Sequence, residues 1–409
     1  MSKRTTSKVP QIRFKGFSGE WEEQFLGELY TKIRNAFVGT ATPYYTQKGH
    51  FYLQSNNVKN GEINRNTEVF INEEFYLRQK DNWLRSNDIV MVQSGHVGHT
   101  AVIPDELNNS AAHALIIISK PSRDTCSHYL NFYFQGNRAK RDLANITTGN
   151  TIKHILASEI KKFGAFFAHY EEQTQIGEYF REVDRLIGLH QRKHGKLVAL
   201  KKAMLQKMFP QPGTNTPEIR FKGFSGDWAK EKLGSISESY SGGTPSVGNR
   251  SFYGGDIPFI RSAEINATST ELSITELGLQ NSSAKMVSKG NVLYALYGAT
   301  SGEVGISQIN GAINQAILAI TPHPGYSSEF LAIWLRNKKT FIVGTYIQGG
   351  QGNLSGNIVK SLEVDLPSSE EQQKIGTYFR TLDSLISKHA IQLQKLTQIK
   401  SACLKKMFV

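Results

Sequence analysis

Cysteine is almost missing from this 409-residue chain: Cys126 and Cys403 stand alone, in neither a Cys-x-x-Cys nor a Cys/His metal spacing. A disulfide framework and a zinc site are therefore not expected, and a reducing compartment, the cytoplasm, is the simplest home. Long apolar runs are missing too. The runs around Ala114–Ile118 and Gly164–Ala168 are strand-sized, and no run approaches the roughly 20 residues of a membrane helix. No apolar stretch follows the basic start Met1–Lys8, so no secretory signal and no membrane partner are expected. Motifs of catalysis are absent as well. There is no Gly-x-x-x-x-Gly-Lys-Ser/Thr loop for ATP, no Gly-x-Gly-x-x-Gly opening a helix, no His-Glu-x-x-His and no Asn/Asp-Pro-Pro-Tyr/Phe tetrad. Gly95-His96-Val97-Gly98-His99 offers histidines, but the matching stretch Gly298–Gly302 has none, which favours a contact residue over a catalytic one. Acidic charge is in deficit: 35 Asp and Glu face 48 Lys and Arg, a formal net charge of +13. Such a balance favours a polyanionic partner, nucleic acid first.

What is present is a duplication. Ile12–Trp21 (IRFKGFSGEW) recurs as Ile219–Trp228 (IRFKGFSGDW), identical at nine of ten positions. Glu171–Phe209 and Glu370–Phe408 align without a gap, at about half identity. A repeat of about 200 residues is too long for a solenoid unit, so the chain reads as two copies of one domain. Between the markers the bodies diverge, yet landmarks keep their order. Gly49–Leu53 faces Gly255–Ile260; Asp88–Gly95 faces Asn291–Gly298; His113–Ile117 faces Gln315–Ala319. Short β-branched and aromatic runs bounded by Gly, Asn and Ser predict strands and tight turns. Helices are expected near His128–Arg141 and Ser327–Phe341.

The tails carry a different period. Ile176, Phe180, Val183, Ile187, His190, His194, Leu197, Lys201, Met204 and Met208 step by four and three; so do Ile375, Phe379, Leu382, Ile386, His389, Leu393, Leu396, Lys400, Cys403 and Met407. That is a heptad seam over more than four heptads, which predicts two long helices pairing as an antiparallel coiled coil. Each would be about 58 Å long at about 1.5 Å per residue, a spacer longer than one DNA turn. Pro367-Ser368-Ser369 ahead of Glu370-Glu371 starts the second helix; the first has Ala168-His169-Tyr170 there and lacks that cap. His190 and His389 fall on equivalent seam positions and read as polar register residues, with no metal expected. The domain reading is 12–167 first body, 168–210 first helix, 211–218 linker, 219–366 second body and 367–409 second helix. The fold class is α+β: two similar mixed α/β bodies separated by the helices.

Base reading needs Asn, Gln, Arg, Ser and Thr on rigid turns, with Lys and Arg on phosphates. The landmark loops supply them. In the first body the candidates are Gln54, Ser55, Asn56, Arg78, Gln93, Ser94, His96, Thr148 and Asn150. In the second they are Thr244, Arg261, Ser262, Tyr297, Thr300, Ser301, Gln348, Gln351 and Asn353. Each alone is ordinary turn chemistry; the repeated order with changed identity is what points to DNA.

The duplicated body, the repeated Glu-Gln-x-x-Ile-Gly-x-Tyr-Phe (Glu172–Phe180 and Glu371–Phe379) and the Gly/Thr-Pro and Val-Gly landmarks closely resemble the DNA-specificity subunits of Type I restriction–modification enzymes. The resemblance covers nearly the whole chain. It implies two target-recognition domains, each reading one half of a split double-stranded DNA target, and helices that set the half-site spacing. It also implies a subunit that is not itself an enzyme and holds no cofactor. Two methyltransferase (M) subunits and, in the full complex, two restriction/translocase (R) subunits dock on it, bringing S-adenosylmethionine, ATP and Mg. From another class, a coiled-coil adaptor without sequence-specific DNA binding remains open. So does a self-contained methyltransferase, which S-adenosylmethionine binding by the purified protein would reveal.

Overall fold

The computed structural model describes residues 8–149, 153–347 and 353–409. The chain forms two compact units. Unit 1 comprises residues 1–191 with 391–409, and unit 2 comprises residues 192–390. Each unit therefore holds one body, the first half of one long helix and the last half of the other.

In unit 1, the strands β1 (Glu22–Phe25), β2 (Tyr30–Asn35), β3 (Ile89–Val92), β4 (Thr100–Val102), β5 (Leu115–Pro121) and β6 (Gly164–Phe167) are followed by the long helix α2 (Tyr170–Lys207), with α1 (Ser127–Gln135) between β5 and β6. The main sheet is antiparallel in the order β2-β5-β3-β4, and β1 pairs separately with β6. A smaller sheet carries one parallel pair, Ala111–Ala112 on His50–Leu53. Unit 2 repeats this. Its strands are β7 (Ala229–Lys232), β8 (Ser237–Ser241), β9 (Val292–Ala295), β10 (Val304–Ile306), β11 (Ile317–Pro322) and β12 (Glu363–Leu366), and its helices are α3 (Ser328–Tyr346) and α4 (Ser369–Lys406). The order β8-β11-β9-β10, the pair β7-β12 and a parallel pair, Gly311–Ile313 on Tyr253–Ile260, all recur. Runs such as Leu115–Ile118 and Val292–Ala295 are wholly buried, as expected of strands covered on both faces.

The expected helix His128–Arg141 is broken. α1 ends at Gln135, Gly136 is extended, and a second helix runs Asn137–Asn145. Glycine is weak in helix interiors, and a Cβ here would meet the Tyr133 carbonyl at 3.0 Å with Phe408 beyond at 3.6 Å. Asn337, at the matching place in unit 2, stays helical and donates to the Leu205 carbonyl at 3.1 Å.

The long helices start in register with the repeat, at Tyr170 and Ser369, so the absent Pro-Ser cap does not move the first boundary. The reason lies in the Glu-Gln pair. Glu172, fully buried, takes a two-pronged bond from Arg13 (2.7 and 2.7 Å), and Gln173 donates to the Ala168 carbonyl at 2.8 Å and accepts from the Cys126 N–H at 3.2 Å. Unit 2 repeats the set: Arg220 on Glu371 (2.8 and 2.8 Å), Gln372 to the Pro367 carbonyl at 3.0 Å and the Ser327 N–H to Gln372 at 3.1 Å. Gly177 and Gly376 let each helix lie against the body. A Cβ would come 2.9 Å from Cys126 Sγ in the first case and 2.9 Å from Glu329 Cβ in the second.

Every seam position named above is buried or half-buried. Ile176 and Phe180 belong to the unit 1 core, and Ile375, Phe379 and Leu382 to the unit 2 core. Val183 is buried, while Ile187, Leu197, Ile386, Leu393 and Leu396 are half-covered. Within unit 1, Lys400 of α4 meets Asp184 of α2 at 2.7 Å; within unit 2, Lys201 of α2 meets Asp383 of α4 at 2.5 Å. Early residues of one helix thus meet late residues of the other in both units, which is antiparallel pairing.

Candidate nucleic-acid interface

In unit 1 the strand β3 ends in a loop that three other segments join. The Gly95 N–H donates to the Lys153 carbonyl at 3.1 Å, and the Ile155 N–H to the Gln93 carbonyl at 3.0 Å. Thr148 and His154 exchange backbone bonds at 2.9 and 2.8 Å, and Ser94 forms a bridge with His154. His96 Nε2 donates to the Ser55 carbonyl at 3.0 Å, which brings in the Gln54–Asn56 turn. Gln54, Ser55, Asn56, Gln93, Ser94, His96 and Thr148 therefore share one surface. Gln54 is held by Tyr45 (2.7 Å) and Asn56 by Thr67 (3.1 Å). Among the described residues, the buried Gln93 Oε1 has no hydrogen-bond partner, so its acceptor is unused within them.

The surface is basic. A cavity of about 610 Å³ beside it is lined by His96, His99, Lys140, Thr147 and Lys153. Burial pushes the His99 pKa down, and His96, Lys59 and Lys140 push it further the same way. The sequence marks His99 only through the Gly95–His99 stretch, as a contact residue rather than a catalytic one. Lys140, Lys153 and His154 lie in no pattern that would mark them.

Unit 2 builds the matching surface with other side chains. Tyr297 bridges Asn353, and the Leu354 N–H donates to the Leu296 carbonyl at 2.8 Å. Thr300 and Ser301 shape the turn after β9: the Ser301 N–H bonds the Gly298 carbonyl at 3.1 Å, and the Glu303 N–H bonds the Thr300 carbonyl at 2.9 Å. Three candidates are tied off. Arg261 is held by Glu264 (3.0 Å) and Glu271 (2.5 Å), which raise its pKa; Thr244 donates to Gln315 at 2.6 Å. Arg78 of unit 1 is engaged by Glu74 and by Tyr44 at 3.2 Å. Ser262 is half-buried in the short turn after Arg261. Asn150, Gln348 and Gln351 lie outside the described residues.

Among the described residues, no three His, Cys, Asp or Glu side chains converge as metal ligands, and no helix is long and apolar enough to cross a membrane.

A family model, the Type I restriction modification DNA specificity domain, matches residues 18–198 and again 225–400. The Type I restriction enzyme MjaIX specificity subunit of Methanocaldococcus jannaschii is 32% identical over 191 residues, 45% of this chain and 44% of that one. The HindI specificity subunit of Haemophilus influenzae is 26% identical over 192 residues, 44% of this chain and 40% of that one. The chain thus spans less than half the length of the curated relatives it matches. The crystal structure of the Type I restriction–modification S subunit from M. genitalium has the same fold, with a TM-score of 0.59 at 16% identity, over 98% of this chain and 99% of that one. Two matches to one family model, at the two copies found in the sequence, place this chain in the Type I restriction modification DNA specificity family.

Proposed function

We propose that the chain is the DNA-specificity subunit of a Type I restriction–modification complex and reads a split target, one half-site per body. The observation that carries this is a contrast. The frame is repeated nearly residue for residue: Arg13 and Arg220, Glu172 and Glu371, Gln173 and Gln372 make the same bonds. The loops at the ends of β3 and β9 sit at the same topological place and carry different side chains. A constant frame suits two identical methyltransferase partners; variable loops suit two different half-sites. Gln54, Asn56, Gln93, Ser94, His96 and Thr148 read bases in one body, and Tyr297, Thr300, Ser301 and Asn353 in the other. Lysines beside them hold phosphates, so affinity falls with salt. The chain decides where modification occurs in the cytoplasm. The methyltransferase subunits supply S-adenosylmethionine and receive a flipped adenine, and the restriction subunits supply ATP and Mg chemistry.

Methylome sequencing of a host expressing this chain with its methyltransferase partner returns the motif. Replacing residues 12–160 with another family body is expected to change one half of that motif and leave the other intact. A motif that changes in both halves, or an undivided motif, overturns the reading.

A further inference from the structure

A second cavity in unit 1, of about 690 Å³, opens at the start of β3, at the other end of that strand from the loop cluster. Lys32, Arg34, Lys80, Arg85 and Lys120 line it against two carboxylates, Asp81 and Asp88. Lys32 and Arg34 lie two apart on the edge strand β2 and so face the same side, with Ser119 opposite Lys32. None of the five cations is in an ion pair among the described residues. Their bonds go to neutral acceptors. Arg34 donates to Asn82 and Ser119 at 3.1 Å each and to the Trp83 carbonyl at 3.5 Å; Lys32 donates to the Asp81 carbonyl at 3.2 Å; Arg85 donates to Asn109. Asp88 is engaged by the Arg85 backbone N–H at 2.9 Å. Crowding of like charge is felt by Lys32, whose pKa is lowered first by the Arg34 guanidinium.

Unit 2 shows that the fold does not need these charges. There Glu238 stands opposite Thr321, and Tyr240 opposite Ala319, where unit 1 has Lys32 opposite Ser119 and Arg34 opposite Ile117. Tyr240 donates to the Met286 carbonyl at 2.7 Å, tying its strand to the preceding segment as Arg34 does through Trp83. A neutral side chain performs the structural task, so the guanidinium and its lysine neighbours are surplus to it.

We infer that this cavity is a phosphate-binding site confined to the first body, in which Lys32, Arg34 and Lys120 hold one phosphate group. The inference rests on the proposed DNA reading only for the source of that phosphate. A guanidinium offers paired donors to phosphate oxygens and the ammonium groups add point charge; the DNA backbone and free phosphate present the same oxygens.

The test uses the full chain and two variants: Arg34→Tyr, which copies unit 2, and the double variant Lys32→Gln/Lys120→Gln, at partly or fully exposed positions. Inorganic phosphate is titrated and followed by ³¹P line broadening, and a random duplex by anisotropy across a salt series. The wild type is expected to bind phosphate, and both variants to bind it at least tenfold more weakly while keeping wild-type circular dichroism. If the phosphate comes from DNA, the double variant also lowers the salt slope by up to about 1, the contribution of one phosphate. An unchanged slope with lost phosphate binding assigns the site to free phosphate. Phosphate binding that is absent in the wild type, or equal in all three proteins, overturns the inference. Absence of wild-type duplex binding sinks the DNA reading instead and leaves the phosphate titration to decide the site.

Discussion

His128 shows how one substitution between two copies changes the chemistry of a shared position. It sits in the first turn of α1, close to Gly177 of α2, and burial together with Arg181 pushes its pKa down to about 4. The matching residue beside Gly376 is Glu329, which pairs with Arg380 at 3.2 Å. Where unit 2 has an ion pair, unit 1 has a cation beside an imidazole kept neutral. The folded pKa lies below the ordinary histidine value of about 6.5, so the unfolded chain binds the extra proton between those values. Stability contributed by neutral His128 is present above about pH 6.5 and is lost as pH falls towards about 4, with a slope of at most about 1.4 kcal/mol per pH unit. His128→Glu is expected to remove that slope above pH 5 and to leave stability at pH 7 within about 1 kcal/mol, since an exposed pair contributes little. Urea melts of both proteins from pH 5 to 7.5 check it; parallel slopes would show that His128 is not the titrating group.

At the scale of elements, the long helices were legible because a heptad period is written in consecutive residues and needs no tertiary information. The two lysine–aspartate pairs were not, because they join residues about 200 positions apart. Asp184 and Lys400 are largely covered, with 13% and 17% of their side chains exposed. Burial raises the Asp184 pKa, and Lys400 lowers it by less. Where desolvation offsets the attraction in this way, a buried pair is expected to add little net stability and to act through register instead. Asp184→Leu alone strands the ammonium and is expected to cost up to about 3 kcal/mol. Asp184→Leu with Lys400→Leu is expected to restore wild-type stability or exceed it. Denaturant melts of the three proteins measure this; a double variant as weak as the single one would make the pair a stabilising bond. The loops were legible in a similar, partial way. Their order and residue types could be read from the chain. That Arg261 is occupied by Glu264 and Glu271 could not, because Glu271 lies ten residues away across a turn.

For the whole molecule, the repeat in the sequence and the units in space are not the same division. Each copy of the repeat ends in a Lys-Met-Phe that packs into the unit holding the other copy's body. In unit 1, Phe408 stacks on Phe180 with ring centres 5.8 Å apart and meets Trp21 at 6.3 Å and Tyr129 at 5.6 Å. In unit 2, Phe209 meets Trp228 at 5.9 Å, Phe330 at 5.8 Å and Phe379 at 6.2 Å. The near-identical markers prepare these seats: the Ile12 N–H caps the Lys406 carbonyl at 3.0 Å, and the Ile219 N–H caps the Lys207 carbonyl at 2.9 Å. The markers could be read as a repeat, but their role as clasps on helix ends depends on contacts the linear chain does not display. Deleting either ring opens a cavity among aromatics and is expected to cost about 3 kcal/mol. The location of the damage separates the two cases. Phe408→Ala is expected to raise amide exchange across residues 22–167, although the substitution lies at the far end of the other copy. Phe209→Ala, at the end of the first copy, is expected to raise it across residues 229–366. Peptide-resolved hydrogen exchange of the intact protein reads this directly. Exchange that rises instead in the body belonging to the mutated copy would mean that sequence repeats, not the interleaved units, are what unfold together.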